Sequence, residues 1–230
     1  MRKYLKIIGF VCSNLFFVTQ MSVASDVNID AAGTNAELGI GYLKQGMYSL
    51  AKKRLLTSIS EDDQLAVGWY GMGLYFEKTG DKKSAEIYYQ KAIAVQPESG
   101  AARNNYGTFL CRDGRYQAGI DQFLKAVNDT KYLEVASAYE NAGICALMMR
   151  NHALAMQYFR AALDNNPSLS FSLLSMARLS YQSHDLVAAN RYFSYFEKLE
   201  LYKKPKNVVD RYRHYVFSAA QSLEIPKPTS

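Results

Sequence analysis

Histidine, proline and tryptophan are scarce in this chain, and each scarcity excludes something. The three histidines (His152, His184 and His214) have no cysteine or second histidine at ligand spacing, so no metal site is expected. No Ser/His/Asp set, phosphate-cradling glycine loop or Gly-x-Ser-x-Gly elbow occurs, so neither catalysis nor a cofactor is expected. His152 and His184 instead read as solvated turn residues. The few prolines fall mostly where segments would end, as Pro97 and Pro167 do. Trp69 stands alone beside 18 tyrosines. Beyond the N-terminus no apolar run is long enough for a transmembrane helix.

The N-terminus reads as a signal peptide over residues 1–24, with an uncleaved membrane anchor as the alternative. Arg2, Lys3 and Lys6 precede an apolar stretch from Ile7 to Val18, and Ser22-Val23-Ala24 supplies small residues for cleavage after Ala24. Export would change two other readings. Loss of three basic and no acidic residues takes the net charge from +6 to +3, which weakens any case for a nucleic-acid partner. It also removes Cys12 and leaves Cys111 and Cys145 as an even pair in an oxidising compartment.

The remaining chain repeats every 34 residues. Gly39, Gly73 and Gly107 keep that interval, as do Gly46, Gly80 and Gly114. After Lys131 the register slips by two and resumes at Gly143, Ala155, Phe159, Ala162 and Pro167. This period, with Trp69, Gly73, Phe76, Ala85, Tyr89, Ala92 and Pro97 in phase, is the tetratricopeptide pattern. The expected fold is an all-α, right-handed superhelical solenoid of five helix pairs, each an A helix followed by a B helix. The repeats are placed at about Thr34–Gln64, Leu65–Glu98, Ser99–Thr130, Glu134–Ser168 and Leu169–Tyr202. The glycine at the eighth repeat position would let helix A approach helix B, and the later glycine would cap helix A in a left-handed conformation. Thr34-Asn35-Ala36-Glu37 has the capping-box form and marks the expected start of the first helix. A flexible segment (25–33) would precede it. A linker and capping helix (203–224, helical from Asn207 to Leu223) and a disordered tail (225–230) would follow the repeats.

Cys111 and Cys145 fall on neighbouring A helices at nearly equal heights, so a disulfide between them is expected. The alternative is two buried thiols facing apart. Repeat positions 2, 5, 9, 12 and 13 line the inner face of a solenoid. They offer Tyr70, Leu74, Asn104, Thr108, Arg112, Ile144, Phe171 and Arg178, with Val67, Leu147, Leu174 and Tyr181. Apolar residues with a few amide and guanidinium groups suit a peptide or partner helix. The alternative is that neighbouring repeats or the cap cover part of this strip. Lys203, Lys204 and Lys206 read as a solvated loop, with contact to an anionic membrane as the second reading.

Asn104-Asn105-Tyr106-Gly107-Thr108-Phe109-Leu110-Cys111, followed by Gly114-Arg115-Tyr116, resembles the type IV pilus biogenesis/stability family (PilW/PilF, the tetratricopeptide pilotins). Leu38 to Leu43 and Glu140 to Leu147 fit the same family. The resemblance implies a non-catalytic, periplasmic, outer-membrane-associated protein. It would bind the outer-membrane secretin and other pilus components and assist secretin localisation, assembly or stability. A monomer is expected. The alternative is a periplasmic adaptor for another envelope machine. Members of this family are often lipoproteins, but Cys12 follows Gly9-Phe10-Val11, a poor lipobox, so membrane association is expected through the partner.

Overall fold

Small residues at fixed intervals let helices approach closely, and one large side chain per repeat fills the gap they leave. The computed structural model describes residues 31–201 and 203–218, and all regular structure among them is helical. Residues 31–44 form α1. It is followed by α2 (Tyr48–Glu61), α3 (Ala66–Thr79), α4 (Lys82–Val95), α5 (Gly100–Arg112) and α6 (Tyr116–Ala126). The remaining elements are α7 (Val135–Met148), α8 (His152–Asn165), α9 (Ser170–Gln182), α10 (Leu186–Leu201) and α11 (Lys206–Phe217). Odd-numbered helices up to α9 are the A helices, even-numbered ones the B helices, and α11 is the cap. The chain divides into two units, one ending at Tyr106 and the other beginning at Gly107, within α5.

In the first unit, Leu55 and Tyr89 are fully buried on the B helices. Leu55 packs on Gly39, and a Cβ on Gly73 would lie 2.8 Å from the Tyr89 ring. In the second unit Phe123, Phe159 and Phe193 play the same part, each no more than 1% exposed. Phe123 meets Gly107 and Phe159 meets Gly143, while Phe193 and Ala177 share one core cluster. The spacing of this large residue follows the sequence period, including the two-residue slip. The extra length sits in the loop between α6 and α7, where Leu133 is 95% exposed.

The turn after each A helix needs one left-handed residue. Gly46, Gly80 and Gly114 supply it with φ of 74°, 88° and 83°. In the last two repeats the same slot holds Arg150 (φ 59°) and His184 (φ 64°). Both are exposed. The left-handed conformation costs an L residue with a Cβ roughly 1–2 kcal/mol, part of which glycine returns through its more flexible unfolded chain. Arg150→Gly and His184→Gly are therefore each expected to stabilise by about 0.5–1 kcal/mol, read as a higher thermal midpoint. A lower midpoint would contradict this.

The next residue then caps the B helix in three repeats. Asp81 accepts from Ser84 N at 3.0 Å, Asn151 from Leu154 N at 3.1 Å, and Asp185 from Ala188 N at 2.9 Å. The side-chain and backbone hydrogen bonds from Ser84 hold the Asp81 carboxyl below the ordinary carboxylate range.

Two boundaries differ from expectation. The helix is already formed at residue 31, where the flexible segment was expected to extend to residue 33, so Thr34–Glu37 lies inside it and does not start it. Ala32 and Ala36 are fully buried one turn apart, and that packing carries the helix past the capping box. At the other end α11 stops at Phe217, and Ser218 is extended. Residues 1–24, read above as a signal peptide, lie outside the described residues, as do residues 25–30, 202 and 219–230.

The linker into α11 is tied down by Glu200, which is 3% exposed. It accepts from Ser170 Oγ at 2.5 Å and pairs with Lys204 at 3.1 Å and Lys203 at 3.7 Å. Burial pushes its carboxyl up, but the hydrogen bonds from Ser170 and Lys204 outweigh it, so the net direction is down. Two of the three lysines in the basic cluster are thus engaged within the chain, which disfavours the membrane-contact reading.

Candidate partner-binding cavity

The inner-face residues fall in both units. In the first unit Tyr70, Leu74 and Asn104 are half-buried. Tyr70 packs on the Ala66/Ala92/Ala102 cluster, and Leu74 packs on the cluster around Leu55 and Met72. In the second unit Thr108, Ile144 and Phe171 are half-buried and Arg112 is exposed. Three of these positions converge. Ile144, Phe171 and Arg178 line one cavity of about 220 Å³.

Its walls come from three helices. Helix α7 gives Ile144, Leu147 and Met148; α9 gives Phe171, Ser175, Arg178 and Leu179; α11 gives Tyr215. Met148 is 44% exposed and stands at the rim. Ile144 and Leu147 are half-buried one turn apart on α7, so they present one apolar face.

Helix α9 is buried along nine consecutive residues, Ser172 to Ser180. An amphipathic helix shows one apolar stripe; this one is covered all round because α11 packs on it in addition to its repeat neighbours. Arg178 explains how. Its side chain is 3% exposed, and Nη1 donates to the carbonyls of Tyr215 (2.8 Å), Val216 (2.9 Å) and Ser218 (2.8 Å). A guanidinium at a helix C-terminus satisfies orphan carbonyls and meets the negative end of the helix dipole. It also ends α11 where it does. The guanidinium lies over the Tyr215 ring at 5.3 Å. Arg178 was expected to face a ligand; its hydrogen bonds hold the cap, and its cation contributes a wall. Leu174, 4% exposed, lies under the cap as well.

Burial pushes the Tyr215 phenol up, against the opposing Arg178 cation, so the ring is neutral at physiological pH. Ser175 is 5% exposed, and its Oγ finds no hydrogen-bond partner among the described residues. Sequence reasoning missed Ser175, because a serine within a helix ordinarily reads as solvent-facing. Tyr215 lies on the cap, outside the inner-face positions of the repeats, so the repeat pattern gave no reason to place it in a cavity wall.

Cys111, at the end of α5, and Cys145, on α7, are joined by a disulfide with their Cα atoms 5.7 Å apart. It anchors the helix that carries Ile144, Leu147 and Met148. Among the described residues no cluster of three or more His, Cys, Asp or Glu could hold a metal ion, and no helix is long and apolar enough to cross a membrane.

A tetratricopeptide-repeat family model matches residues 70–132 and 129–170. The type IV pilus assembly protein PilF of Pseudomonas aeruginosa is 32% identical over 167 residues. That match takes in 73% of this chain and 66% of PilF, so the chain spans just under two thirds of that relative's length. Among solved structures, that of Pseudomonas aeruginosa PilF superposes with a TM-score of 0.70 at 26% identity, covering 84% of this chain and 95% of that one. The structure of PilW, a type IV pilus biogenesis factor, superposes with a TM-score of 0.65 at 21% identity, covering 79% and 86%. At that identity the PilW likeness speaks for the fold alone.

Proposed function

The chain is a tetratricopeptide-repeat homologue of the type IV pilus assembly protein PilF, and from that premise we propose that it is a non-catalytic scaffold for type IV pilus biogenesis. It acts in the periplasm at the outer membrane, as a monomer, by binding the secretin and assisting its localisation, assembly or stability. The observation that carries this reading is the 32% identity to PilF across most of the repeat region. The cavity walled by α7, α9 and α11 supplies a concave, mainly apolar surface of the kind that partner segments use. The inner-face residues Tyr70, Leu74, Asn104, Thr108 and Arg112 are assigned to partner contact on the same reading.

Affinity capture of the mature chain from an envelope extract, followed by mass spectrometry, tests it. Secretin is expected to co-purify, and a deletion strain is expected to lose secretin multimers and twitching. Capture of a different envelope complex without secretin would overturn the pilus role in favour of a general adaptor.

A further inference from the structure

We propose that the cavity between α7, α9 and α11 is an anchor pocket for one bulky apolar side chain of a partner polypeptide. The same residue's main-chain carbonyl accepts a hydrogen bond from the Ser175 hydroxyl. This rests on the scaffold reading above and names what the partner must present.

Size decides the class of ligand. About 220 Å³ falls below the roughly 300–1,000 Å³ of small-molecule and cofactor sites. One large side chain fits that space. Half-buried Ile144, Leu147 and Phe171 and the exposed Met148 keep it open to solvent. A methionine at the rim adapts to the shape of what enters.

Polarity decides the orientation. The lining contains no carboxylate. Its lining residues carry three donors, the Arg178 guanidinium, the Ser175 hydroxyl and the Tyr215 phenol at the cap. Arg178 already donates to three carbonyls of the cap. Ser175 Oγ is buried with no partner among the described residues, and a buried hydroxyl left unpaired is costly. An incoming carbonyl satisfies it. The cation in the wall makes the pocket complementary to a neutral or acidic segment and unfavourable to a lysine or arginine beside the anchor. The walls are held in advance, α11 by Arg178 and α7 by the disulfide at Cys145, so little ordering cost attends binding.

The test uses the full mature chain with labelled isoleucine, leucine and methionine methyls. It is titrated with N-acetyl-leucine methylamide, which is neutral, and with leucinamide, which is cationic. Saturable shifts at Ile144, Leu147 and Met148 are expected with the first, at an affinity on the order of millimolar. Leucinamide is expected to bind several-fold more weakly. Ser175→Ala should weaken binding about fivefold, one neutral hydrogen bond. Ser175→Leu should fill the pocket and abolish the shifts without lowering the thermal midpoint. No saturable shift, equal binding by Ser175→Leu, or a preference for the cation would overturn the pocket. Self-association of the wild type that Ser175→Leu abolishes would make a second copy the occupant and overturn it too. In secretin capture, loss of secretin by Ser175→Leu is expected. Secretin held equally by wild type and Ser175→Leu would sink the pocket and leave the pilus role standing. A wild type that captures no secretin would sink the role, with the titration still deciding the pocket.

Discussion

Replacing Gly107 by alanine is expected to destabilise the chain by about 1–3 kcal/mol, with the opposite sign to helix propensity. Inside a helix alanine is favoured over glycine by about 1 kcal/mol. At Gly107 that gain meets two obstacles. A Cβ would lie 2.8 Å from Phe123 Cε1 and 2.9 Å from the Gly119 carbonyl oxygen. Phe123 is 1% exposed, so its ring has nowhere to go. The oxygen belongs to the α6 backbone and moves only if α5 and α6 separate. In a close-packed interior such overlap is relieved by shifting many atoms, and the lost contacts outweigh the propensity term. Gly41 is the matched control. It too lies in a helix, but its Cβ would meet nothing within 4 Å. Gly41→Ala is expected to stabilise by about 0.5–1 kcal/mol. Urea denaturation of both variants gives the answer; effects of the same sign would show that the contact at Gly107 does not decide the choice of residue.

That pair shows how much of the fold could be read from residues alone. The recurrence of glycine at the eighth repeat position carries geometric information, because a glycine kept in phase at a propensity cost marks a contact closer than a Cβ allows, which an isolated helical glycine such as Gly41 does not. The aromatic residues opposite, Phe123 and Phe159, recur for the same reason. Arg150 and His184 were opaque: they adopt the left-handed turn conformation without the glycine that would announce it. At residues 34–37 a local capping signal competed with the buried alanines Ala32 and Ala36, and packing prevailed. The cavity was legible in part. Ile144 and Phe171 sit at inner-face positions, and the cavity includes them. Ser175 and the true engagement of Arg178 depend on α11 folding back over α9, a contact about 40 residues away in sequence that no repeat period encodes. The cap is where the periodic rule ends, and it closes one side of the cavity.

Loss of the Cys111–Cys145 bond is expected to cost about 3–4 kcal/mol, from loop entropy over its 34-residue separation. For a chain of this length that is a fall in thermal midpoint on the order of 10 °C. The fold itself is expected to survive at 25 °C, because α7 keeps its other support: Phe159 is fully buried against Gly143. The cavity should suffer more than the fold. Cys145 adjoins Ile144 on the helix that carries the apolar wall, so releasing it gives that wall freedom that a ligand must then remove. Cys111→Ala/Cys145→Ala should therefore show a lower urea midpoint and weaker binding at the cavity, and a reductant should reproduce both in the wild type while leaving the variant unchanged. A midpoint indifferent to reductant would mean that helix packing alone fixes α7. A lower midpoint with unaltered binding would separate stability from the site and assign the bond to survival of the fold alone.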